Sequence, residues 1–576
     1  MNAMCGVWAG RQVGRWAVQV FSLPVLAVLL LSSAARADTN ANAIVNLSGV
    51  PTAFNGANVI IGQLEIGTPT NTVTDFNAAN VLGSFNYPSG SGPDNHATQV
   101  ASTMISTGAI TRGTAPGAQL YSVGAATTPD FISGMWLLAT QQNVSVINIS
   151  AGISSVTGFV SRATMAGGTN YVSAVRVSNA NGQDATSLSE DNLVQTKGVT
   201  MVLAAGNDGR LGANTEDLEA SAYNIISVGA VSNNTAGTTQ LADFSSKGYL
   251  SNGRAGIDIV APGADIVMNG FNTNSTLTRQ VTVIYSNNTG GTTVYQVGTT
   301  FNTSGPGAPQ TPLSRINTNS GTSFAAPIVA GVAADLISAA KSGTGVFSSS
   351  GVSADAQDSR IVKAVLLNSA TKLAGWTQTS FTLGGTTFIT QPLDANQGAG
   401  LLNAGGAYNQ LAAGEFGATV HGNGPAGALD PLKGWALEGV NLSLTNVYRF
   451  ASPAGGQLTA TLDWLRHTGP APGFADQGLT DLDLYLWSSP NAAFTNVSLV
   501  AASISTVDNV EQIYLTNLPT AYYEVGVQFF GQGTSTLGAN SENYGLAWNI
   551  TVPEPSTLLL AGLGLAVLGW VRRRKT

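Results

Sequence analysis

Cysteine, histidine and charged residues are scarce in this chain of 576 residues. There is one cysteine, Cys5, and only 9% of the residues are charged. Because Cys5 lies in a leader that we expect to be removed, the mature body has no thiol and no disulfide, which excludes cysteine nucleophiles and thiolate metal sites. A hydrophobic content of 43% together with 68 glycines indicates a large folded body with many loops.

Residues 1–37 predict a secretory signal. Arg11 and Arg15 precede the apolar stretch "VFSLPVLAVLLL", and "SSAARA" ends with small residues, so signal peptidase is expected to cleave before Asp38. Without the basic residues of the two ends, positions 38–571 hold 16 basic and 31 acidic residues, a net charge of −15. So acidic a body argues against nucleic acid as a partner.

The last residues, 552–576, read "VPEPSTLLLAGLGLAVLGWVRRRKT". The apolar run is shorter than the roughly 20 residues that span a bilayer, but its tryptophan and basic cluster are typical of a membrane interface. The segment has the tripeptide Pro553-Glu554-Pro555, then a transmembrane-like apolar helix, then an arginine cluster. This order resembles the PEP-CTERM sorting signal of Gram-negative bacteria. The resemblance implies export through the inner membrane, transient membrane anchoring and cleavage by an exosortase, with a final place outside the cell or on its surface or matrix. An ordinary C-terminal membrane anchor is the alternative.

A carboxylate stands at the end of an apolar run in "NVIIGQLEIG", residues 58–67. Such a run is typical of a strand that is buried on both faces of a parallel sheet. An ionised carboxylate in that position is costly unless it is paired. Glu65 therefore either reaches solvent at the strand end or is paired with another group.

Histidine occurs only at His96, His421 and His467, so a histidine-dependent reaction in the first 410 residues would need His96. In "PDNHATQVASTMIS", turn-forming residues precede a run with helical spacing. This pattern places His96 at or near a helix start, where its ring is free to face a cleft. A structural histidine is the alternative.

The stretch "NTNSGTSFAAPIVAGVAADLISAA" predicts a helix that begins near Ser323, with Pro327 in its first turn. Backbone N–H groups and the helix dipole favour developing negative charge at that end. A serine nucleophile in acyl transfer needs this environment, although Ser-Gly-Thr-Ser is also ordinary helix-capping chemistry.

A third segment, "GVTMVLAAGNDG", predicts a buried strand over 201–203 and then a tight turn that presents Asn207. An amide at a strand end can donate a hydrogen bond to an oxyanion. Taken alone, this short pattern says little.

Taken together, the order carboxylate, histidine, amide and serine resembles that of the subtilases. "HATQVA" is similar to the family's histidine motif, "VLAAGNDG" to its oxyanion segment and "NSGTSFAAPIVAGVAA" to its serine motif, and the likeness runs over residues 58–408. The resemblance implies an α/β domain over 38–412, with a mainly parallel sheet flanked by helices. It also implies a secreted serine endopeptidase that acts on polypeptides with Glu65, His96 and Ser323 as triad and Asn207 as oxyanion donor.

The chain departs from the family pattern in three places. Glu65 stands where the family has aspartate, which leaves Asp75 and Asp94 as alternative acids. The family's usual His-Gly-Thr-His motif is replaced by His-Ala-Thr-Gln, which ends at Gln99. About 27 residues separate Asp38 from Glu65, which are too few for the family's usual folding pro-domain. A catalytically inactive subtilase-fold protein that binds envelope or matrix, or a purely structural surface protein, are the other hypotheses.

The resemblance also implies a substrate site. Ser150, Ala151 and Gly152 would form an edge strand that pairs with extended peptide, facing a second strand near Thr127 to Phe131. The chemistry requires no cofactor, and a structural calcium ion is supported by no motif.

Residues 413–551 consist of short runs with period-two alternation, which predicts an all-β sandwich or barrel that resembles the C-terminal domain of some secreted bacterial subtilases. Asp481 and Asp483 share one strand face, where they could bind calcium, but we expect a solvated polar face instead. Residues 268–315 are predicted to be an inserted β-rich loop before the serine motif.

Overall fold

The computed structural model describes residues 38–552, with gaps at 72, 153–155, 165–169, 179, 234–237, 271–275, 287–291, 303–314, 423–428 and 539. The predicted signal, 1–37, and the PEP-CTERM segment after residue 552 therefore lie outside the described residues.

The described helices begin and end as follows: α1 (Asp38–Ile44), α2 (Asn95–Ile105), α3 (Thr128–Gln141), α4 (Ala185–Lys197), α5 (Thr322–Ala340), α6 (Ser350–Asp355), α7 (Ser359–Ser369) and α8 (Ala404–Leu411). Short 3₁₀ turns cover Leu47–Gly49, Gly209–Leu211, Glu219–Ser221 and Gly345–Ser348.

The strands of the first part are β1 (Ile60–Glu65), β2 (Val81–Asn86), β3 (Gln119–Gly124), β4 (Val146–Ile149), β5 (Val156–Thr164), β6 (Asn170–Ser178), β7 (Thr200–Ala204), β8 (Ile226–Asn233), β9 (Thr239–Leu241), β10 (Ile259–Pro262), β11 (Ile266–Gly270), β12 (Thr276–Ser286), β13 (Thr292–Asn302) and β14 (Arg315–Asn319). Those of the second part are β15 (Thr379–Leu383), β16 (Thr386–Gln391), β17 (Thr419–Val420), β18 (Lys433–Asn441), β19 (Thr445–Ser452), β20 (Gly456–Trp464), β21 (His467–Thr468), β22 (Asp476–Gly478), β23 (Asp481–Ser489), β24 (Ser498–Ser503), β25 (Val510–Leu518), β26 (Ala521–Gly531) and β27 (Ser541–Thr551).

A parallel sheet in the order β10-β8-β7-β4-β1-β3-β2 forms the centre of the first part, with β9 added antiparallel to β8. Strand β1 lies in its middle, parallel to β3 on one side and to β4 on the other. Helices cover both faces, since α5 packs against β4, β7 and β8 while α3 packs against β1 and β3. The predicted mainly parallel sheet flanked by helices is thus confirmed, and burial on both faces explains why β1 is almost entirely apolar.

Of the helices that the structure describes, α5 is long and apolar enough to cross a membrane. Every one of its residues is buried inside the protein, however, which makes it the central core helix of this body. Its alanines and glycines allow close approach of neighbouring segments: a Cβ on Gly331 would lie 1.8 Å from the hydroxyl of Thr114.

Between the central sheet and α5 the chain makes a two-stranded ribbon, β11 paired antiparallel with β14. The hairpin of β12 and β13 lies between these two strands in sequence. This ribbon (Ile266–Gly270 and Arg315–Asn319) ends three residues before α5 begins, and it packs against α2.

An all-β sandwich forms the second part, with sheets in the orders β15-β16-β24-β23-β26-β19-β17 and β18-β27-β20-β25. Its strands pair antiparallel except for β16 with β24, which is parallel. The hairpin of β15 and β16 comes from within the range 38–412 yet extends the sandwich sheet. The second sheet packs on α7, so the two parts share one compact body.

Candidate active site

The candidate site lies at the carboxyl edge of the central sheet, where open parallel sheets commonly bind ligands. Strand β1 ends there with Glu65, and β4 and β7 end at Ile149 and Ala204. Helix α2 begins one residue before His96 and α5 begins one residue before Ser323. These positions are the ones that the strand and helix patterns predict.

Glu65 is buried and pairs with His96, whose side chain is 33% exposed. Its Oε2 lies 3.1 Å from Nδ1 of His96, and its Oε1 accepts a hydrogen bond from the N–H of Ser150 at 3.2 Å. The carboxylate side chain is 2% exposed. The extra methylene of glutamate is therefore accommodated, with both carboxylate oxygens held.

The two other acids near the histidine have different roles. The Oδ1 of Asp94 caps α2 by accepting the N–H of Ala97 at 2.9 Å. The Oδ2 of Asp75 accepts the hydroxyl of Thr111 at 2.9 Å. Of the three candidate acids, Glu65 is the one that contacts the imidazole.

Burial and charge act on the Glu65–His96 pair in different directions. Burial raises the pKa of Glu65, while His96 beside it opposes that rise. Burial alone would lower the pKa of His96, but the charge and hydrogen bond of Glu65 leave it above its ordinary value. The imidazolium is thus favoured, which is what a base that gains a proton during a reaction requires.

The first turn of α2 is attached to β1. Besides the cap made by Asp94, the side-chain amide of Gln63 donates to the carbonyl of Ala97 at 2.8 Å. Gln63 lies two residues before Glu65 on the same face of β1. One strand face therefore supplies both the partner of the imidazole and an anchor for the helix that carries it.

Ser323 is held by Ser150 through two hydrogen bonds. The hydroxyl of Ser323 donates to the carbonyl of Ser150 at 3.2 Å, and the hydroxyl of Ser150 donates to the carbonyl of Ser323 at 2.9 Å. The second bond has a cause in the sequence: the carbonyl of Ser323 would normally accept the N–H four residues later, and Pro327 has none. Our prediction of Pro327 in the first turn was wrong, since it is the sixth residue of α5.

The imidazole packs against Phe324 and is not hydrogen-bonded to the serine hydroxyl in this structure. The ring of His96 lies 5.5 Å from that of Phe324, the residue after Ser323. Among the described residues, Ser323 Oγ has Ser150 as its partner rather than His96. Serine–histidine bonds are often long without substrate and tighten when it binds.

The amide of Asn207 is oriented by Thr322. Its Oδ1 accepts the N–H of Thr322 at 2.9 Å and lies 3.3 Å from the Thr322 hydroxyl. Since the oxygen is used in this way, the NH₂ group is the end left to donate to a ligand beside Ser323. The sequence identified Asn207 but gave no sign of Thr322, because the contact joins residues 115 positions apart.

The predicted substrate segment follows β4, which ends at Ile149 and does not extend through Ser150, Ala151 and Gly152. The backbone N–H and C=O of Ser150 are used by Glu65 and Ser323. The facing strand predicted at 127–131 was wrong: Thr127 is the residue before α3, which begins at Thr128 with a proline in its first turn.

One of the paired aspartates of the sandwich, Asp483, differs from the prediction of a solvated polar face, while Asp481 is half-buried. Asp483 is 4% exposed, and its Oδ2 accepts the hydroxyl of Tyr485 at 2.8 Å. Burial raises the pKa of Asp483 to about 7. Within the part of the chain that the structure describes, no group of three or more His, Cys, Asp or Glu side chains could hold a metal ion.

This geometry can perform nucleophilic acyl chemistry. It has a hydroxyl at a helix start, an imidazole whose Nδ1 is hydrogen-bonded to a buried carboxylate, and an amide donor beside the hydroxyl. The residue that sequence reasoning undervalued is Ser150, which joins the carboxylate to the nucleophile. Ser150 lies in the segment "SVINISAG", residues 145–152, but nothing local in that segment indicates the bond.

Comparisons with known proteins identify the family of this chain. A profile of the subtilase family matches residues 69–386. Subtilisin DY of Bacillus licheniformis is 30% identical over 229 residues, which cover 37% of this chain and 67% of that protein. A profile of the PEP-CTERM protein-sorting motif matches residues 551–575.

Two solved structures share a more distant likeness. The prenylagaramide maturation protease PagA is 20% identical, with 65% of this chain and 98% of that chain covered and a TM-score of 0.39. A serine-to-alanine mutant of the protease domain of PatA is 21% identical, with 62% and 95% covered and a TM-score of 0.37. The family profile, which spans more than half of the chain, shows that this protein belongs to the subtilase family and carries a PEP-CTERM sorting signal.

Proposed function

We propose that this protein is a secreted serine endopeptidase with a Glu65–His96–Ser323 triad. The observation that carries the proposal is the hydrogen bond of 3.1 Å between Glu65 and Nδ1 of His96, at the start of the helix that follows. It leaves Nε2 of the ring as the nitrogen that can accept a proton. Ser323, bonded to the same Ser150 as Glu65, is the nucleophile that the ring serves.

In the proposed reaction, the hydroxyl of Ser323 leaves the carbonyl of Ser150 and turns to Nε2 of His96. As the Ser323 oxygen bonds to the carbonyl carbon of the peptide, its proton passes to His96, and Glu65 stabilises the imidazolium. The oxyanion receives hydrogen bonds from the side chain of Asn207 and the N–H of Ser323.

The intermediate then collapses as the C–N bond breaks, and His96 gives its proton to the leaving amine. A water molecule, deprotonated by the same ring, attacks the acyl-enzyme and releases the acid product with Ser323 restored. Polypeptide backbone is the proposed substrate, bound along Ala151 and Gly152 because the polar backbone groups of Ser150 are already used.

A fluorophosphonate probe tests the nucleophile directly. The purified body should be labelled, Ser323→Ala should abolish labelling, and Ser338→Ala should retain it. Ser338 is a suitable control because it is a buried serine on the same helix, donating to the carbonyl of Ala57 at 2.8 Å. Equal labelling of wild type and Ser323→Ala would refute the assignment.

The competing hypothesis is an inactive fold that binds envelope or matrix. This hypothesis rests on Glu65, on the motif that ends at Gln99 and on the segment before Glu65, which is too short for the usual pro-domain. The contact of Glu65 with His96 weakens the first of these three grounds. Hydrolysis of casein that serine inhibitors block would exclude it. Absence of turnover in a folded protein with an intact Ser323 would favour it.

For the C-terminal segment we propose anchoring in the inner membrane followed by cleavage by an exosortase. The match of residues 551–575 to the sorting motif supports this route. Deletion of residues 553–576 should abolish the membrane-bound precursor in cell fractionation. A precursor that stays membrane-bound after the deletion would contradict the proposal.

A further inference from the structure

Helix α2 and the ribbon that leads into α5 are joined by side-chain hydrogen bonds on one face of the helix. From these contacts we propose that Gln99 is a positioning residue, which acts through Asn319 to set the separation of His96 and Ser323. The inference rests on the proposed serine endopeptidase function. By sequence alone, Gln99 was only a departure from the family's histidine motif.

Gln99 lies three residues after His96, so the two side chains leave the same face of α2. It is 3% exposed, and its Oε1 accepts a hydrogen bond from Nδ2 of Asn319 at 3.1 Å. Loss of this acceptor would leave Nδ2 of the half-buried Asn319 without its partner on α2.

Asn319 is the last residue of β14 and lies four residues before Ser323. Its Oδ1 accepts the N–H of Ser320 at 2.9 Å, which leaves Nδ2 as the end that can reach Gln99. The same side chain thus bonds to α2 and to the turn that enters α5. Gln99 lies three residues after His96, and Asn319 lies four residues before Ser323. The hydrogen bond between them therefore joins the two chain segments close to both residues.

The other strand of the ribbon, β11, makes a second set of contacts one to two turns further along α2. The N–H of Asn269 donates to the hydroxyl of Ser102 at 2.9 Å, and its Nδ2 donates to Ser106 at 3.1 Å. Asn269 is fully buried. With both strands bonded to one helix face, ribbon and helix are coupled, and Gln99 is the member of the set nearest to His96.

These contacts divide the positioning of His96 into two parts. Gln63 and Glu65 attach the start of α2 and the imidazole to β1. Gln99 attaches the helix to the chain that carries Ser323. Removal of Gln99 should therefore alter the approach of His96 to Ser323 and leave the pairing of His96 with Glu65 unchanged.

Gln99→Met tests this division because methionine keeps the length of the side chain and removes the acceptor. We expect kcat to fall about tenfold, which is less than the roughly 100-fold loss that a 1 Å misplacement of reacting groups causes. KM should stay within about twofold, and the acid limb of the pH profile of kcat/KM should not move, because Glu65 still sets the pKa of His96. Gln99→Glu, which keeps an acceptor oxygen, should restore most of the loss.

The partner is tested by a double-mutant cycle. Asn319→Ala should lower kcat at least as much as Gln99→Met, and adding Gln99→Met to Asn319→Ala should cost nothing further. Ser338→Ala, which removes a buried hydrogen bond at the far part of α5, should leave kcat unchanged. Additive losses, or an acid limb that shifts in Gln99→Met, would overturn the proposed positioning role.

Hydrogen exchange separates this inference from the proposed function, since it needs no turnover. In Gln99→Met, exchange should rise about tenfold at the backbone of Ser320 to Phe324 and stay at wild-type rates in β1. If wild type lacks turnover that depends on Ser323, the proposed function fails, while the exchange result still decides whether Gln99 holds the serine segment. Unchanged exchange in that segment refutes the inference.

Discussion

Shortening Glu65 by one methylene should impair catalysis, although aspartate is the acid that the family usually has here. Both oxygens of Glu65 are used, one at 3.1 Å from Nδ1 of His96 and the other at 3.2 Å from the N–H of Ser150. In Glu65→Asp the carboxylate retreats along the side chain by about one C–C bond, roughly 1.5 Å.

The backbone cannot follow the shorter side chain. Strand β1 is paired along its length with β3 and β4, and Glu65 itself is opposite Gly124 in that register. A shift of β1 would break hydrogen bonds to both neighbours. The contact with His96 should therefore lengthen beyond about 3.5 Å, where a hydrogen bond is no longer effective. We expect kcat to fall by about 10- to 100-fold.

Glu65→Gln tests charge at nearly constant size. A neutral amide favours the wrong tautomer of His96, and the corresponding change in a serine protease triad costs about 10⁴-fold in kcat. Wild type, Glu65→Asp and Glu65→Gln should thus rank in that order. Steady-state hydrolysis of a peptide substrate measures the ranking, and thermal unfolding of each variant checks that the fold is retained.

The pH profile gives an independent readout. The reaction needs neutral His96, so activity is lost as the pH falls through the pKa of this histidine. Because Glu65 raises that pKa, the acid limb of kcat/KM in wild type should lie above the ordinary histidine value of about 6.5. Glu65→Gln removes the charge and should move the limb to lower pH.

Full activity of Glu65→Asp would refute the reasoning, because it would mean that β1 or α2 adjusts freely to the shorter acid. Wild-type turnover in Glu65→Gln would be more serious. It would assign the role to another acid, with Asp94, which lies near the pair and influences the pKa of both members, as the first to examine.

Two further variants test the oxyanion site and the contact between the two parts of the chain. Asn207→Ala should lower kcat by about 100- to 1,000-fold with little change in KM, and an unchanged kcat would remove Asn207 from the proposed oxyanion site. Arg466→Ala should lower the free energy of unfolding in urea by about 3–5 kcal/mol, because buried Asp191 loses its ion-pair partner. Arg210→Ala, whose partner Asp243 is exposed, should cost less than about 1 kcal/mol, and equal effects of the two arginine variants would contradict the buried-pair argument.

The sequence by itself determined the local elements that carry the site. An apolar run that is buried on both faces predicts a central parallel strand, so the end of β1 at Glu65 could be foreseen. Turn formers followed by helical spacing placed His96 and Ser323 at helix starts. These signals are readable because strand and helix periodicity depend on neighbours only a few residues apart.

The tertiary structure decided which of these groups meet. Ser150 bonds to Glu65, 85 residues before it, and to Ser323, 173 residues after it, and no local pattern encodes either contact. The facing strand at 127–131 failed because a proline in the first turn and the packing of α3 on the sheet favour a helix there. Strand order and helix packing bring such distant residues together, and they follow from burial of the whole core rather than from any segment alone.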